Sequence, residues 1–285
     1  MNHDIAGAMN GSVAGGPRAE RHELATLIEA SRSRLDVVLL LLVSAGIAWW
    51  STAVRMGGMD AGPGTSLGAL GWFTGVWTVM MAAMMLPSLA PTAAVYATLV
   101  RRREPSWWLL FAGGYLLAWS AAGLVAYGLF ELGTDLFAGP LGWHAGGRWL
   151  TAGVLAFAAA YQLTPVKSVC LARCRSPHQL LAGRWLRGRA GALATGARSG
   201  RWCIGCSWAL MVALFALGVM SLSWMALVAA LVVFEKLGPW PRAASVATAV
   251  VLGALTIGIV ASPHEIPGLV VPGSHRAMNA MKAMG

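Results

Sequence analysis

Apolar residues run along this chain in long blocks, and nothing alternates with period two over strand-length windows, so the pattern predicts helices and no strands. The blocks fall near 37–54, 68–100, 107–130, 149–165, 203–220, 223–237 and 243–261. Most approach or exceed the ~20 residues that cross ~30 Å of hydrocarbon. In lipid, backbone polar groups must be satisfied within their own segment, which leaves the helix as the spanning form. The stretch 203–237 is too long for one ordinary helix, and Gly218 to Trp224 is the corner that divides it into two short spans. The expected fold is all-α: a polytopic transmembrane helical bundle of about seven spans, or six if 203–237 is a single one. A segment 1–36 precedes the transmembrane domain 37–261, and a tail 262–285 containing Pro263, Pro267 and Pro272 follows it.

Charge sets the orientation. With the N-terminus cytoplasmic, segments 1–36, 101–106, 166–202 and 236–242 hold 17 of the 21 Lys and Arg. That asymmetry follows the positive-inside rule. The net charge of +10 is then mostly topology, with some attraction to anionic lipid headgroups. No soluble module is present to bind nucleic acid. Trp49, Trp50, Trp107, Trp108, Trp149, Trp202 and Trp240 stand at span ends, where interfacial aromatic belts lie. Charged residues interrupt the first 36 positions, so they contain no signal-peptide apolar core. Composition agrees with a membrane protein, at 57% hydrophobic and 11% charged against roughly 25% charged in soluble domains.

Two clusters of soft donors stand out. Cys170-x3-Cys174 ends the fourth apolar block and Cys203-x2-Cys206 opens the fifth. These spacings match half-sites of four-cysteine metal centres. Lys167, Arg173, Arg175 and Arg201 are near enough to favour thiolates, the ligating form. A reducing cytoplasmic face argues against a structural disulfide there. Cys203-Ile204-Gly205-Cys206 also has the C-x-x-C spacing of thiol oxidoreductases, without the strand–helix context of that motif. The second cluster is Met80, Met81, Met84 and Met85, whose three- and four-residue spacings form adjoining stripes on a helix. Pro87 and Pro91 follow; each removes one i→i−4 hydrogen bond and kinks the helix. Methionine is also an ordinary gap-filler in apolar packing. Thiolate and thioether ligands together point to a soft ion, above all Cu(I), with zinc the rival if all four cysteines ligate.

Weaker features complete the inventory. Met56 and Met59 fall in the first outer loop, His144 in the second, and Met278, Met281 and Met284 in the tail. Met211, Met220 and Met225 could extend the methionine patch. Glu235-Lys236 ends the sixth block at the cytoplasmic face, where snorkelling is the ordinary outcome and a carboxylate ligand or proton site the alternative. Gln162 and Lys167 stand close to Cys170 in sequence. No Ser/His/Asp arrangement, buried carboxylate pair or phosphate-cradling glycine loop is present, which disfavours hydrolytic and nucleotide-driven chemistry.

Several of these strings resemble one bacterial membrane family. They are Met59-Asp60-Ala61-Gly62-Pro63-Gly64, Trp77 to Pro87, Leu163 to Lys167 with Cys170 and Cys174-Arg175, Cys203 to Met211, Gly218-Val219-Met220, Trp224-Met225 and Glu235-Lys236. The family is the domain of unknown function 2182 group, described as predicted metal-binding integral membrane proteins. It often has a further cysteine where this chain has Ser207. The resemblance implies metal binding in a multi-pass protein of the bacterial inner (plasma) membrane. The combined expectation is a membrane protein that binds Cu(I) in uptake, transfer or homeostasis, with the bilayer, the ion and a partner membrane protein or metallochaperone as its partners. The alternative is a thiol-redox or cofactor-insertion subunit serving a partner membrane enzyme.

Overall fold

A computed structural model describes residues 25, 28–56, 70–100, 106–137, 143–176, 188–217 and 221–261. Among these residues every regular element is a helix. In chain order they are α1 (Leu35–Met56), α2 (Leu70–Val100), α3 (Trp107–Phe137), α4 (Trp143–Gln162), α5 (Pro165–Arg175), α6 (Arg189–Leu217), α7 (Leu222–Leu237) and α8 (Pro241–Ala261). Most of segment 1–36, Met59, Met220 and the tail 262–285 with its three methionines lie outside the described residues, as does the side chain of His144.

Among the described residues five helices are long and apolar enough to cross a membrane: those containing Leu35–Val54, Leu70–Val100, Trp107–Leu129, Arg189–Leu217 and Pro241–Ala261. A sixth span arises if α4 and α5 count as one, with Trp149–Gln162 and Pro165–Arg175 meeting at 65°. Length and composition thus give five or six candidate spans among the described residues, beside the expected seven or six. The difference has two sources. The fourth block is bent, and α7 has only 16 residues, or ~24 Å at 1.5 Å rise per residue. The division of 203–237 appears as expected, with α6 ending at Leu217 and α7 beginning at Leu222. α6 begins at Arg189 rather than at Cys203, so the cysteine pair lies within a helix and not at its entry.

The bend has a local cause. Thr164 caps α5 by accepting a hydrogen bond from the Lys167 amide, and Pro165 occupies the first turn. A capping hydroxyl followed by proline starts a helix at low cost, so the chain stops α4 and begins a new axis.

α6 packs most extensively on α3, and also contacts α4, α5 and α7. Glycines permit the α3–α6 approach. A Cβ at Gly196 would collide with the Phe111 carbonyl, and one at Gly114 with the Leu193 carbonyl. Small residues let membrane helices bring their backbones together where dispersion contacts are strongest. α2 is the most enclosed candidate span, 72% buried over its most apolar window. It joins α3 through Trp77 Nε1 donating to the Trp119 carbonyl at 2.8 Å and through the Thr78–Ser120 hydroxyl pair at 2.8 Å. The outward faces are apolar: Leu39, Ile47, Leu129, Val250 and Ile257 are all exposed. An apolar exterior on this scale is the signature of a surface that meets another apolar phase.

Candidate metal centre

The short helix α7 brings the separate soft-donor clusters together, because it touches α2, α5, α6 and α8. Cys203 and Cys206 are buried on α6. Cys170 and Cys174 are half-buried on α5, and all four thiols are free. The two cysteine pairs converge. The Cys174 side chain interacts with both Cys203 and Cys206, and Cys170 Sγ would lie 2.9 Å from a Cβ placed at Gly205. The missing side chain at Gly205 thus makes room for the Cys170 sulfur against α6. The Gly205 carbonyl accepts from Tyr161 Oη at 2.6 Å, which ties α4 to the same turn of α6.

Cys203 is the hub. Tyr115 Oη on α3 donates to its sulfur at 2.9 Å, Lys236 Nζ on α7 donates at 2.8 Å, and Met85 Sδ on α2 lies at 3.9 Å. The methionine patch and the cysteines therefore share one buried region. Met80, Met81, Met84 and Met85 are all within 2% of complete burial, and Met81 stands one turn before Met85 on α2. Cys206 spends its thiol proton within its own helix, donating to the Cys203 carbonyl at 3.2 Å, and Ser207 does the same at 2.7 Å. Pro87 leaves the Ala83 carbonyl without its helical donor, and Ser88 Oγ donates to the Met85 carbonyl at 2.9 Å, so the α2 backbone beside Met85 has its own side-chain support.

Behind this hub lies a buried ion pair. Lys167 Nζ and Glu235 Oε2 are 2.6 Å apart, with side-chain exposures of 0% and 3%. The expected snorkelling of Glu235-Lys236 is thereby corrected: both side chains turn inward, since α7 is covered on several sides. Arg175 Nη1 donates to the Glu235 carbonyl at 2.7 Å and fastens the end of α5 to α7. Arg173 stacks over Trp202 at 4.5 Å, a cation–π contact joining α5 to α6. Gln162 is buried with neither amide atom hydrogen-bonded, as is Glu235 Oε1.

Tyr115 and Ser88 are the site residues that sequence reasoning missed, and Lys236 was singled out without its partners Cys203 and Ser88. Each is polar within an apolar block, which is itself a signal, but their partners are distant in sequence. Among the described residues no three His, Cys, Asp or Glu side chains by themselves form a ready-made ion cage. What converges is a softer set, thiols together with a thioether, and that donor chemistry suits a soft monovalent ion.

The architecture and its interior define a class: an all-helical protein with several helices long enough to cross a membrane and a thiol–thioether centre inside the bundle. Comparison with known families makes this specific. The chain belongs to the PpoB2 family, described as copper chaperone, whose model matches residues 74–259. That span runs from α2 into α8 and contains every donor described above. The match bears on the copper expectation and carries a different description from the unknown-function group that the sequence strings resemble. Neither the curated proteins nor the solved structures contain a match.

Proposed function

We propose that this protein binds Cu(I) at the centre formed by Cys203, Cys174 and Met85, and passes it to a partner. The observation that carries the reading is the placement of Met85 Sδ 3.9 Å from Cys203 Sγ in a chain of the copper chaperone family. Cys170, Cys206, Met80, Met81 and Met84 surround or extend the centre as alternative donors for an ion in transit. Ligand exchange between thioether and thiolate gives a path from weaker to stronger soft donors. The ion is cargo here, and the chain supplies sulfur donors, a dry interior and an ammonium group beside them.

The topology that serves this function has seven crossings, with α7 as a short one and the N-terminus cytoplasmic, in the bacterial plasma membrane. Lys236 near the end of α7 meets Cys203 on α6, although α7 starts soon after α6 ends. The chain therefore doubles back beside α6, as a crossing would require. Positive-inside charge then puts the cysteine end of the bundle toward the cytoplasm, where a metallochaperone or a maturing membrane enzyme could exchange the ion.

The test is metal content by mass spectrometry on protein purified anaerobically in detergent, beside a variant with all four cysteines changed to Ser. Near-stoichiometric copper in the parent and its loss in the variant are expected; equal copper in both would end the thiol-site reading. Transfer and passage through the bundle separate in a second experiment. The double variant Met84→Leu, Met85→Leu keeps packing volume close to native. A conduit predicts reduced copper uptake into vesicles, and a docking-and-transfer role predicts unchanged uptake with slower delivery to an acceptor. A thiol-redox role has one favouring observation, the mutual contact of Cys174, Cys203 and Cys206, and predicts reductant-dependent thiol labelling of metal-free protein.

A further inference from the structure

Resting on the proposed centre, we propose that Lys236 is its specificity-determining residue: the buried ammonium sets the local charge so that the site accepts a monovalent soft ion and rejects a divalent one.

The argument begins with the buried charges. Among the described residues the buried charged side chains are Arg34, Lys167, Glu235 and Lys236. Arg34 is paired with Asp36 at 3.1 Å, and Lys167 with Glu235 at 2.6 Å. No carboxylate among the described residues pairs with the Lys236 ammonium; it donates to Cys203 Sγ at 2.8 Å and to Ser88 Oγ at 3.2 Å. An unpaired charge in a dry interior is costly, so the fold retains Lys236 where sulfur can carry the opposite charge.

The donor set then fixes which ion restores neutrality. In the proposed centre Cys203 and Cys174 are the two thiolate ligands and Met85 is the neutral third donor, while Cys206 donates within its own helix and Cys170 faces Gly205. On ligation the thiols give their protons to solvent, as metal binding by cysteine requires. Two thiolates, one ammonium and one monovalent cation sum to zero. A divalent cation on the same donors leaves one uncompensated positive charge beside the ammonium, in a medium where charge is weakly screened. Replacing Lys236 by a neutral side chain inverts the balance, since two thiolates and a divalent ion are then neutral. Specificity of this kind works by penalising the wrong ion and not by improving contacts to the right one.

The measurement is competition binding of Ag(I), a redox-silent monovalent probe, and of Zn(II), at one pH on the full chain in detergent, with sulfur-to-metal charge-transfer absorption as a second readout for Ag(I). Native protein should take up Ag(I) and exclude Zn(II). Lys236→Met should shift the Ag(I)/Zn(II) affinity ratio toward zinc by on the order of tenfold or more. Lys236→Arg, which keeps the charge, should restore the native preference. Native protein that binds Ag(I) but shows the same ratio as Lys236→Met overturns the role of Lys236 and leaves the soft-metal centre standing. Native protein that binds both ions equally also overturns it, without recourse to a variant. Native protein that binds neither ion removes the centre itself, and this inference with it.

Discussion

Cys203 holds together donors from four helices, and its replacement has consequences beyond one lost ligand. Cys203→Ser removes a sulfur ligand and shortens the side chain that accepts from Tyr115 and Lys236, so copper content should fall to background and the apo protein should also lose stability. Mass spectrometry and thermal unfolding in detergent read the two effects separately. The Lys167–Glu235 pair makes a different prediction. Glu235→Gln strands a buried lysine and should cost about 3–5 kcal/mol, whereas changing both residues to apolar ones of similar volume should cost far less. A double-mutant cycle of unfolding free energies checks this; equal losses in the single and double variants would show that the pair is not the cause.

At the scale of elements, the centre depends on how closely α3, α5 and α6 approach. Gly196→Leu would drive a side chain into the Phe111 carbonyl. It should separate α3 from α6 and lower the melting temperature by several degrees, with metal lost as a consequence since Tyr115 and Cys203 sit on those two helices. Gly205→Ala is the finer probe. Its added methyl meets only the Cys170 side chain, closest at the sulfur at 2.9 Å, so the half-buried Cys170 can turn away. The expected result is a nearly native melting temperature with faster alkylation of Cys170 by a thiol reagent. Unchanged labelling would show that Cys170 is held by something other than Gly205.

For the whole molecule, binding and stability are linked. A ligand held by the folded bundle at 100 times its Kd adds about 2.7 kcal/mol of stability, so Ag(I) should raise the melting temperature of native protein and leave the four-cysteine variant unmoved. Orientation is tested by protease access to the N-terminus in sealed vesicles of known sidedness; protection from the cytoplasmic side would reverse the assignment made from charge.

Much of the architecture was legible in residue order. Long apolar blocks dictate helices because lipid offers no partners to the backbone, and the corner between Leu217 and Leu222 falls where Gly218 to Trp224 marked it. The donor types, thiol and thioether, were readable as well, since soft-metal chemistry depends on atom type. Thr164-Pro165 was readable as a helix start but is submerged in an apolar run, and the bend at α5 went with it. Only tertiary structure decided that Met85 and Cys203 are neighbours, that Cys170 and Cys174 face Gly205 and Cys203, and that Glu235-Lys236 turns inward. The physical reason is that hydropathy reports which face of a helix avoids water and says nothing of which helix covers it. Tyr115, Met85 and Lys236 reach Cys203 from positions 33 to 118 residues away, a distance that packing alone closes.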